Sequence, residues 1–130
     1  MTGPAVRDEA LTGFLEHYAA GRFFDAHEVL EAAWRRSDDP DMRFLQGLIQ
    51  WAVALEHHRR GNAHGARALL DRAIGNLAAG PPGSMGLDLS ACHAAAPGMR
   101  RAFAAWEAGA GRPELDAPPI VRHAEEASRT

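Results

Sequence analysis

Apolar residues recur every three or four positions along most of this chain, the spacing that places side chains on one face of an α-helix. Between residues 5 and 20, the apolar positions that follow this spacing are Val6, Leu11, Phe14, Leu15 and Tyr18. The same pattern predicts further helices over residues 23–36, 41–60, 63–79 and 88–108. The sequence therefore predicts an all-α fold, a compact bundle of about five helices.

Glycine and proline mark the predicted ends of these helices. Gly21 and Gly61 follow the first and third helices, where a left-handed backbone closes a helix C-terminus at no steric cost. The segments Ser37–Pro40 and Gly80–Gly83 are expected to stop the second and fourth helices. Each break is short, so neighbouring helices in the chain are expected to pack as antiparallel pairs.

The C-terminal part of the chain departs from this regular pattern. We expect Asp88 to cap the fifth helix and Pro97 to kink or break it, with a restart at Pro97. The helical domain is predicted over residues 1–108, followed by a tail over residues 109–130 that is rich in Gly, Pro and charge. Two apolar residues of the tail are expected to lie against the bundle, Ile120 and Val121.

A shift of 40 positions aligns the chain with itself. The aligned pairs are Tyr18 with His58, Gly21 with Gly61, Ala26 with Ala66, Leu30 with Leu70, and Ala33 with Ala73. Small residues on either side of a large one let two antiparallel helices cross closely. This pattern resembles the tetratricopeptide repeat, in which a helix ends at a glycine and the next presents Ala, a large apolar residue and Ala. We therefore predict two tetratricopeptide-like antiparallel hairpins at the centre of the bundle.

The chain also resembles a bacterial and archaeal family known as domain of unknown function 309. The residues that carry the resemblance extend over roughly 11–108 and include Gly21–Phe24, Ala26–Glu31, Trp34, Leu45–Gln50, Ala52–Leu55, Arg60–Asn62, Gly65, Ala66 and Met85–Asp88. The resemblance implies a small all-helical fold related to tetratricopeptide hairpins. It implies no activity, because none is assigned to the family.

Composition narrows the class of protein. With 130 residues, 46% of them apolar and 24% charged, the chain is long enough for one globular domain with its own core. It has no apolar run of the length that a membrane span needs, and acidic residues stand where a signal peptide needs an apolar core. We therefore expect a cytoplasmic protein. With a net charge of −3, the protein has no overall positive potential that would attract nucleic acid. Because Cys92 is the only cysteine, an internal disulfide is excluded.

Seven polar residues on the second and third helices are candidates for a ligand site. They are His27, Glu28 and Glu31 on the second helix, and Gln46, Gln50, His57 and His58 on the third. His27 and Glu31 are four residues apart and share a helical face. If the two helices are antiparallel neighbours, His27 faces the His57 and His58 end of the third helix, and Glu31 lies nearer Gln50.

Three interpretations of these residues stay open. His27, Glu31 and His57 could share a divalent metal ion, although Glu31 stands where the HExxH motif of zinc proteases has its second histidine. The same groove could take a small molecule or a peptide. Alternatively, the side chains pair with each other, with the two glutamines or with backbone groups, as a buried network that fixes the register of the helices. Nothing in the sequence requires a cofactor.

Arginines suggest another polar surface. Arg22, Arg59, Arg60 and Arg67 could form a basic edge around the Gly61 turn, and guanidinium groups suit phosphate or carboxylate. Cations at helix C-termini are also favoured by the helix dipole alone, so the cluster has a structural explanation as well.

The sequence contains no glycine-rich phosphate loop, nucleophile elbow or catalytic serine motif, so an enzyme is not indicated. The first hypothesis is a non-enzymatic binding or scaffold module that uses the groove between the second and third helices for a peptide or partner protein. The second is a metal- or small-molecule-dependent activity centred on His27 and Glu31. The third is a structural homodimer with Trp51 and Trp106 at its interface.

Overall fold

The computed structural model describes residues 4–36, 41–79 and 84–123. These residues form five α-helices: α1 (Pro4–Ala19), α2 (Phe23–Arg35), α3 (Asp41–Arg60), α4 (Ala63–Ala78) and α5 (Ser90–Glu107). A short turn of 3₁₀-helix (Ser84–Gly86) precedes two short strands, β1 (Leu87–Asp88) and β2 (Val121–Arg122). The prediction of an all-α bundle is confirmed. The predicted stops at 37–40 and 80–83, and the end of the tail at 124–130, lie outside the described residues.

The 40-residue repeat is visible in the backbone of the two helical turns. Gly21 and Gly61 have φ values of +78° and +82°, so both adopt the left-handed conformation that the sequence predicts. After each glycine, the next residue donates its backbone N–H to the carbonyl at the start of the turn, Arg22 to His17 and Asn62 to His57, each at 2.9 Å. The α1–α2 and α3–α4 turns therefore close in the same way.

The repeat is equally visible in the core. The aligned small and large residues of α2 and α4 are all buried: Ala26, Leu30, Ala33, Ala66, Leu70 and Ala73. The central helix α3 packs against both α2 and α4, and α5 packs against α4. Gly47 near the start of α3 lies so close to Leu77 near the end of α4 that a Cβ on the glycine would lie 2.9 Å from the leucine backbone nitrogen. The α3–α4 pair is therefore antiparallel and tightly packed.

The start and middle of α5 differ from the prediction. The helix begins at Ser90, and Asp88 lies in β1, where its carboxylate accepts the backbone N–H of Ser90 at 2.9 Å. Pro97 does not break the helix, which continues from Ser90 to Glu107. Pro97 and His93 are both exposed, so the His93 carbonyl that loses its helical partner can bind water instead. The expected break at Pro97 is therefore wrong.

Residues 110–123, which we call the strap, cross the helices and contain no helix. Ile120 is buried with 4% exposure, whereas Val121 is 52% exposed. The strap ends in β2, which pairs antiparallel with β1, and the register places Leu87 opposite Arg122 and Asp88 opposite Val121. Because side chains alternate along an extended chain, the burial of Ile120 turns Val121 outward. Of the two residues expected to lie against the bundle, Ile120 is buried there, and Val121 is half-exposed and lines a cleft with Tyr18 and Ala19 of α1.

Candidate functional site

The predicted site residues of α2 make their contacts on their own helix. The Nδ1 atom of His27 lies 2.8 Å from the carbonyl oxygen of Phe24, and the two rings pack with centroids 4.9 Å apart. Glu31 forms an ion pair of 3.7 Å with Arg35, one turn further along. Glu28 is exposed and makes no polar contact within the described ranges. The structure thus does not join His27 to Glu31.

The predicted residues of α3 contact three different partners. The amide oxygen of Gln50 accepts from Asn76 of α4 at 2.7 Å, so this glutamine bridges two helices. His57 lies 3.1 Å from the side chain of Asn62 at the start of α4. Gln46 is half-buried and has no hydrogen-bond partner in the part of the chain that the structure describes. His58 contacts the strap.

The described residues contain no group of three His, Cys, Asp or Glu side chains placed to hold a metal ion. The reason is the orientation of α3. His57 lies on the side of α3 that faces α4, because a Cβ on Gly65 of α4 would lie 2.8 Å from its ring. His27 and Glu31 lie on α2, so His57 is not brought to them.

Tyr18 of α1 binds the strap in the interior of the protein. Its hydroxyl donates to the carbonyl oxygen of Pro118 at 2.6 Å and accepts from the indole nitrogen of Trp51 at 3.0 Å. Tyr18 and Trp51 are both buried, and burial raises the pKa of the tyrosine, so the hydroxyl stays protonated and available to donate. Because Trp51 lies in the core, the expectation that it forms a dimer interface is wrong.

His58 binds the strap at a second point. Its Nε2 atom lies 2.6 Å from the carbonyl oxygen of Pro113, so this nitrogen carries the hydrogen. The ring is held in place by Phe103, on which it stacks with centroids 5.7 Å apart, and by the edge of Trp106 at the same distance. Arg112 then donates to the carbonyl oxygens at the end of α3, to Arg59 at 3.2 Å and to His58 at 3.4 Å.

Side chains alternate along the strap between these two points. Leu115 and Ala117 are half-buried, whereas Glu114 and Asp116 are exposed. Beyond them, Cys92 of α5 lies against the strap, with its sulfur 3.9 Å from the Pro118 carbonyl oxygen. Burial raises the pKa of the Cys92 thiol to about 12, so this residue is an uncharged packing group.

Two clefts remain beside the strap. One has a volume of about 500 Å³ and the other about 260 Å³. Phe23, Leu115 and Ala117 line both of them. The strap therefore occupies the groove over Tyr18 and His58 without filling it.

The arginines of the predicted basic edge separate into two groups. Arg22, Arg59 and Arg60 line one cleft of about 340 Å³. Arg67 belongs to another surface, where it pairs with Glu107 of α5 and with Asp71. Arg67 is thus part of an ion-pair network that joins α4 to α5, and its expected place in the basic edge is wrong.

Glu56 orients two of these arginines, and no motif in the sequence singles it out. Its side chain is only 7% exposed, and it accepts from Arg59 through both oxygens, at 2.6 and 3.1 Å, and from Arg60 at 2.6 Å. The hydrogen bond from Arg59 is the main cause that holds the Glu56 pKa below its usual range, and Arg60 adds to it. A buried carboxylate thus fixes the guanidinium groups at the end of α3.

Sequence reasoning also missed Tyr18 as a binding residue. The signal was present in the 40-residue repeat, which aligns Tyr18 with His58. This alignment alone does not show that Tyr18 and His58 both face the strap, so their shared role becomes clear only in the structure.

The described helices include none that is long and apolar enough to cross a membrane. No solved structure matches the chain significantly.

Two relatives from bacteria match parts of the chain. The uncharacterized protein YpuF of Bacillus subtilis (strain 168) is 43% identical over 63 residues, which are 46% of this chain and 35% of the relative. An uncharacterized protein of Aquifex aeolicus (strain VF5) is 28% identical over 104 residues, which are 79% of this chain and 28% of the relative. The chain thus spans about a third of the length of these relatives. Neither name states a function.

The model of the family described as "Domain of unknown function (DUF309)" matches residues 11–69. This range contains α2 and α3 entire and the first part of α4. It ends before the Met85–Asp88 motif that also suggested the family. The resemblance to domain of unknown function 309 that the sequence motifs indicate is therefore confirmed over residues 11–69.

Proposed function

We propose that this protein is a non-enzymatic binding module that holds extended, proline-containing peptide segments in the groove over Tyr18 and His58. One observation carries the proposal. The chain holds such a segment of its own, through hydrogen bonds to the carbonyl oxygens of Pro118 and Pro113. The bundle therefore has the donors, spacing and apolar surface that an extended ligand requires.

The chemistry of this contact suits a range of peptides. Tyr18 and His58 bind main-chain carbonyl groups, which every residue of a ligand possesses. Proline keeps a peptide extended before it binds, so less conformational entropy is lost on binding. Specificity then comes from the alternate side chains that point into the groove, at the positions that Leu115 and Ala117 occupy in the strap.

The unfilled space beside the strap supports ligands other than the strap itself. Ala117 lines both flanking clefts, of about 500 and 260 Å³, and its methyl group is small. A peptide with a larger apolar residue at that position would remove more apolar surface from water. The gain is about 0.8 kcal/mol for each buried methylene.

The likeness to tetratricopeptide hairpins supports the same function. Repeat proteins of stacked helical hairpins form extended surfaces that bind partners along several repeats. In this chain, equivalent positions of the two hairpins each supply one strap contact, from Tyr18 and His58. The cytoplasmic location, the homodimer and the activity centred on His27 and Glu31 stay predictions.

The test separates the strap from the bundle after folding. A specific protease site replaces Ala110 in the exposed Gly109–Gly111 connection, and the folded protein is cut there. A fluorescent peptide of sequence 110–123 should then bind to the cut protein, as measured by anisotropy, and much more weakly to the uncut protein. A peptide with Leu in place of Ala117 should bind about fivefold or more tightly.

Two control peptides make the test specific. Replacement of Glu114 by Gln, at an exposed position, should leave the affinity nearly unchanged. Replacement of the buried Ile120 by Asp should abolish binding. If the cut protein keeps its helical circular dichroism but binds none of the peptides, the proposed function is wrong.

A further inference from the structure

The cleft of Arg22, Arg59 and Arg60 lies between the α1–α2 turn and the end of α3. Its volume is about 340 Å³, and it is lined by Gly21, Arg22, Phe23, Phe24, Asp25, Glu56, Arg59 and Arg60. Three guanidinium groups and two carboxylates thus surround one cavity. The geometry of the guanidinium groups decides what it can bind.

Arg60 and Arg22 are each held by one nitrogen and leave the other two available. The Nε atom of Arg60 donates to Glu56 at 2.6 Å, and that of Arg22 donates to Nδ1 of His17 at 3.0 Å. Asp25 lies 4.0 Å from the same Nε of Arg22. Within the described residues, the terminal nitrogens of both arginines have no hydrogen-bond partner. These are the nitrogens that bind oxyanions in a fork.

Phe24 adds a second support. Its ring is 44% exposed, and the guanidinium carbon of Arg60 lies 5.6 Å from the ring centroid. This cation–π contact and the buried Glu56 hold the Arg60 group from two sides. An arginine that is ordered before binding loses less conformational entropy when a ligand arrives.

The start of α2 differs from the equivalent position in the repeat. In α4, Asn62 caps the helix, and its side-chain oxygen accepts the backbone N–H of Gly65 at 2.9 Å. In α2 the aligned residue is Arg22, which makes no side-chain cap. Among the described residues, the first N–H groups of α2 therefore have no side-chain acceptor, at the positive end of the helix dipole.

We propose that this cleft binds an oxyanion, a phosphate or carboxylate group, through the terminal nitrogens of Arg22 and Arg60. The bound group takes the position of the missing cap at the start of α2. The same chemistry serves a free phosphate and the side-chain carboxylate of an acidic peptide, so the experiment must separate these sources. The proposal is independent of the peptide groove, because it involves neither Tyr18 nor the strap.

The test is calorimetric titration of the uncut 130-residue chain at constant ionic strength. One arm uses inorganic phosphate, and the other uses a tetraglutamate peptide with blocked termini. Either Arg22→Gln or Arg60→Gln should weaken binding about tenfold or more, because a charged hydrogen bond is lost. Asp25→Asn should strengthen it, because one carboxylate is removed from the cleft.

Arg72→Gln is the matched control, since Arg72 is exposed on α4 and makes no ion pair within the described ranges. It should leave both titrations unchanged. Tighter binding of phosphate would identify a free anion as the ligand, and tighter binding of the peptide an acidic segment. Absence of binding in both arms would overturn the proposal. An equal loss in the Arg72 and Arg22 variants would also overturn it, because binding would then be only a general charge effect.

Discussion

Tyr18 and His58 are equivalent residues of a 40-residue repeat, and each binds a proline carbonyl of the same C-terminal segment. The two hydrogen bonds have the same length, 2.6 Å, although one donor is a phenol and the other an imidazole. Each donor stands one turn before the glycine that ends its helix. The repeat therefore places two donors along one groove, and this pairing is the basis of the proposed function.

The substitution Tyr18→Phe tests the first of these contacts. Phenylalanine keeps the stacking of the ring on Phe14 but leaves the Pro118 carbonyl and the Trp51 indole N–H without their partner in a buried place. We expect the free energy of unfolding in urea to fall by about 1–3 kcal/mol. The exposed strap substitution Glu114→Gln should change it by less than about 0.5 kcal/mol. Equal effects of the two substitutions would contradict the buried contact.

The substitution His58→Phe tests the second contact. A phenyl ring can still stack on Phe103 but cannot donate to the Pro113 carbonyl. The first half of the strap should then open more often, and a glutamate-specific protease should cut after Glu114 several-fold faster. The control is His93→Phe, at an exposed position of α5. Cleavage at the wild-type rate in the His58 variant would show that this hydrogen bond does not hold the strap.

Most of the helical fold follows from local sequence. The glycines at 21 and 61 end two helices because only a left-handed residue closes the turns observed there. Pro97 shows the limit of local rules, because whether a proline breaks a helix depends on whether water can reach the freed carbonyl. The two-residue pairing of β1 and β2 has no local signal, since it joins segments that are distant in the chain.

Replacement of glycine by alanine should have opposite effects on stability at two positions of the α3–α4 pair. A Cβ at Gly47 would lie 2.9 Å from the backbone nitrogen of Leu77, so Gly47→Ala must push the helices apart. We expect a loss of about 1–3 kcal/mol. At Gly75, no described atom outside the local helix backbone lies within 4 Å of an added Cβ, and Gly75→Ala should stabilise by about 0.4–1 kcal/mol. Thermal unfolding of both variants checks this pair. A stabilised Gly47 variant would contradict the close helix packing.

Protonation of Glu56 should make the stability of the fold depend on pH. Its pKa is lower in the folded protein than the usual 4.5, so the unfolded chain takes up the proton more readily. Its contribution is fully present above about pH 4.5 and is lost as the pH falls through the lowered folded pKa. The stability difference between wild type and Glu56→Gln should therefore shrink below about pH 4.5. A constant difference from pH 7 to pH 3 in urea unfolding would contradict this role.

The candidate site was only partly accessible from the sequence. Histidine and glutamate at 27 and 31 share a helical face, but spacing cannot show which neighbouring groups satisfy them, and the structure gives them the Phe24 carbonyl and Arg35. The sequence placed Arg22, Arg59, Arg60 and Arg67 around the Gly61 turn, and the structure brings the first three of them to one cleft. The burial of Glu56 was not predicted, because charged residues are mostly exposed and its burial depends on tertiary packing.

The indole N–H of Trp51 provides the most direct measurement of the central claim. It donates to the Tyr18 hydroxyl that binds Pro118, and its NMR signal is one of three from tryptophan side chains. In the uncut variant with Leu115→Asp and Ile120→Asp, the strap should leave the groove and this signal should move. Addition of the unlabelled 110–123 peptide should return it to the wild-type position if the groove binds extended segments. A signal that stays displaced at saturating peptide, in a protein that is still folded, would contradict the account.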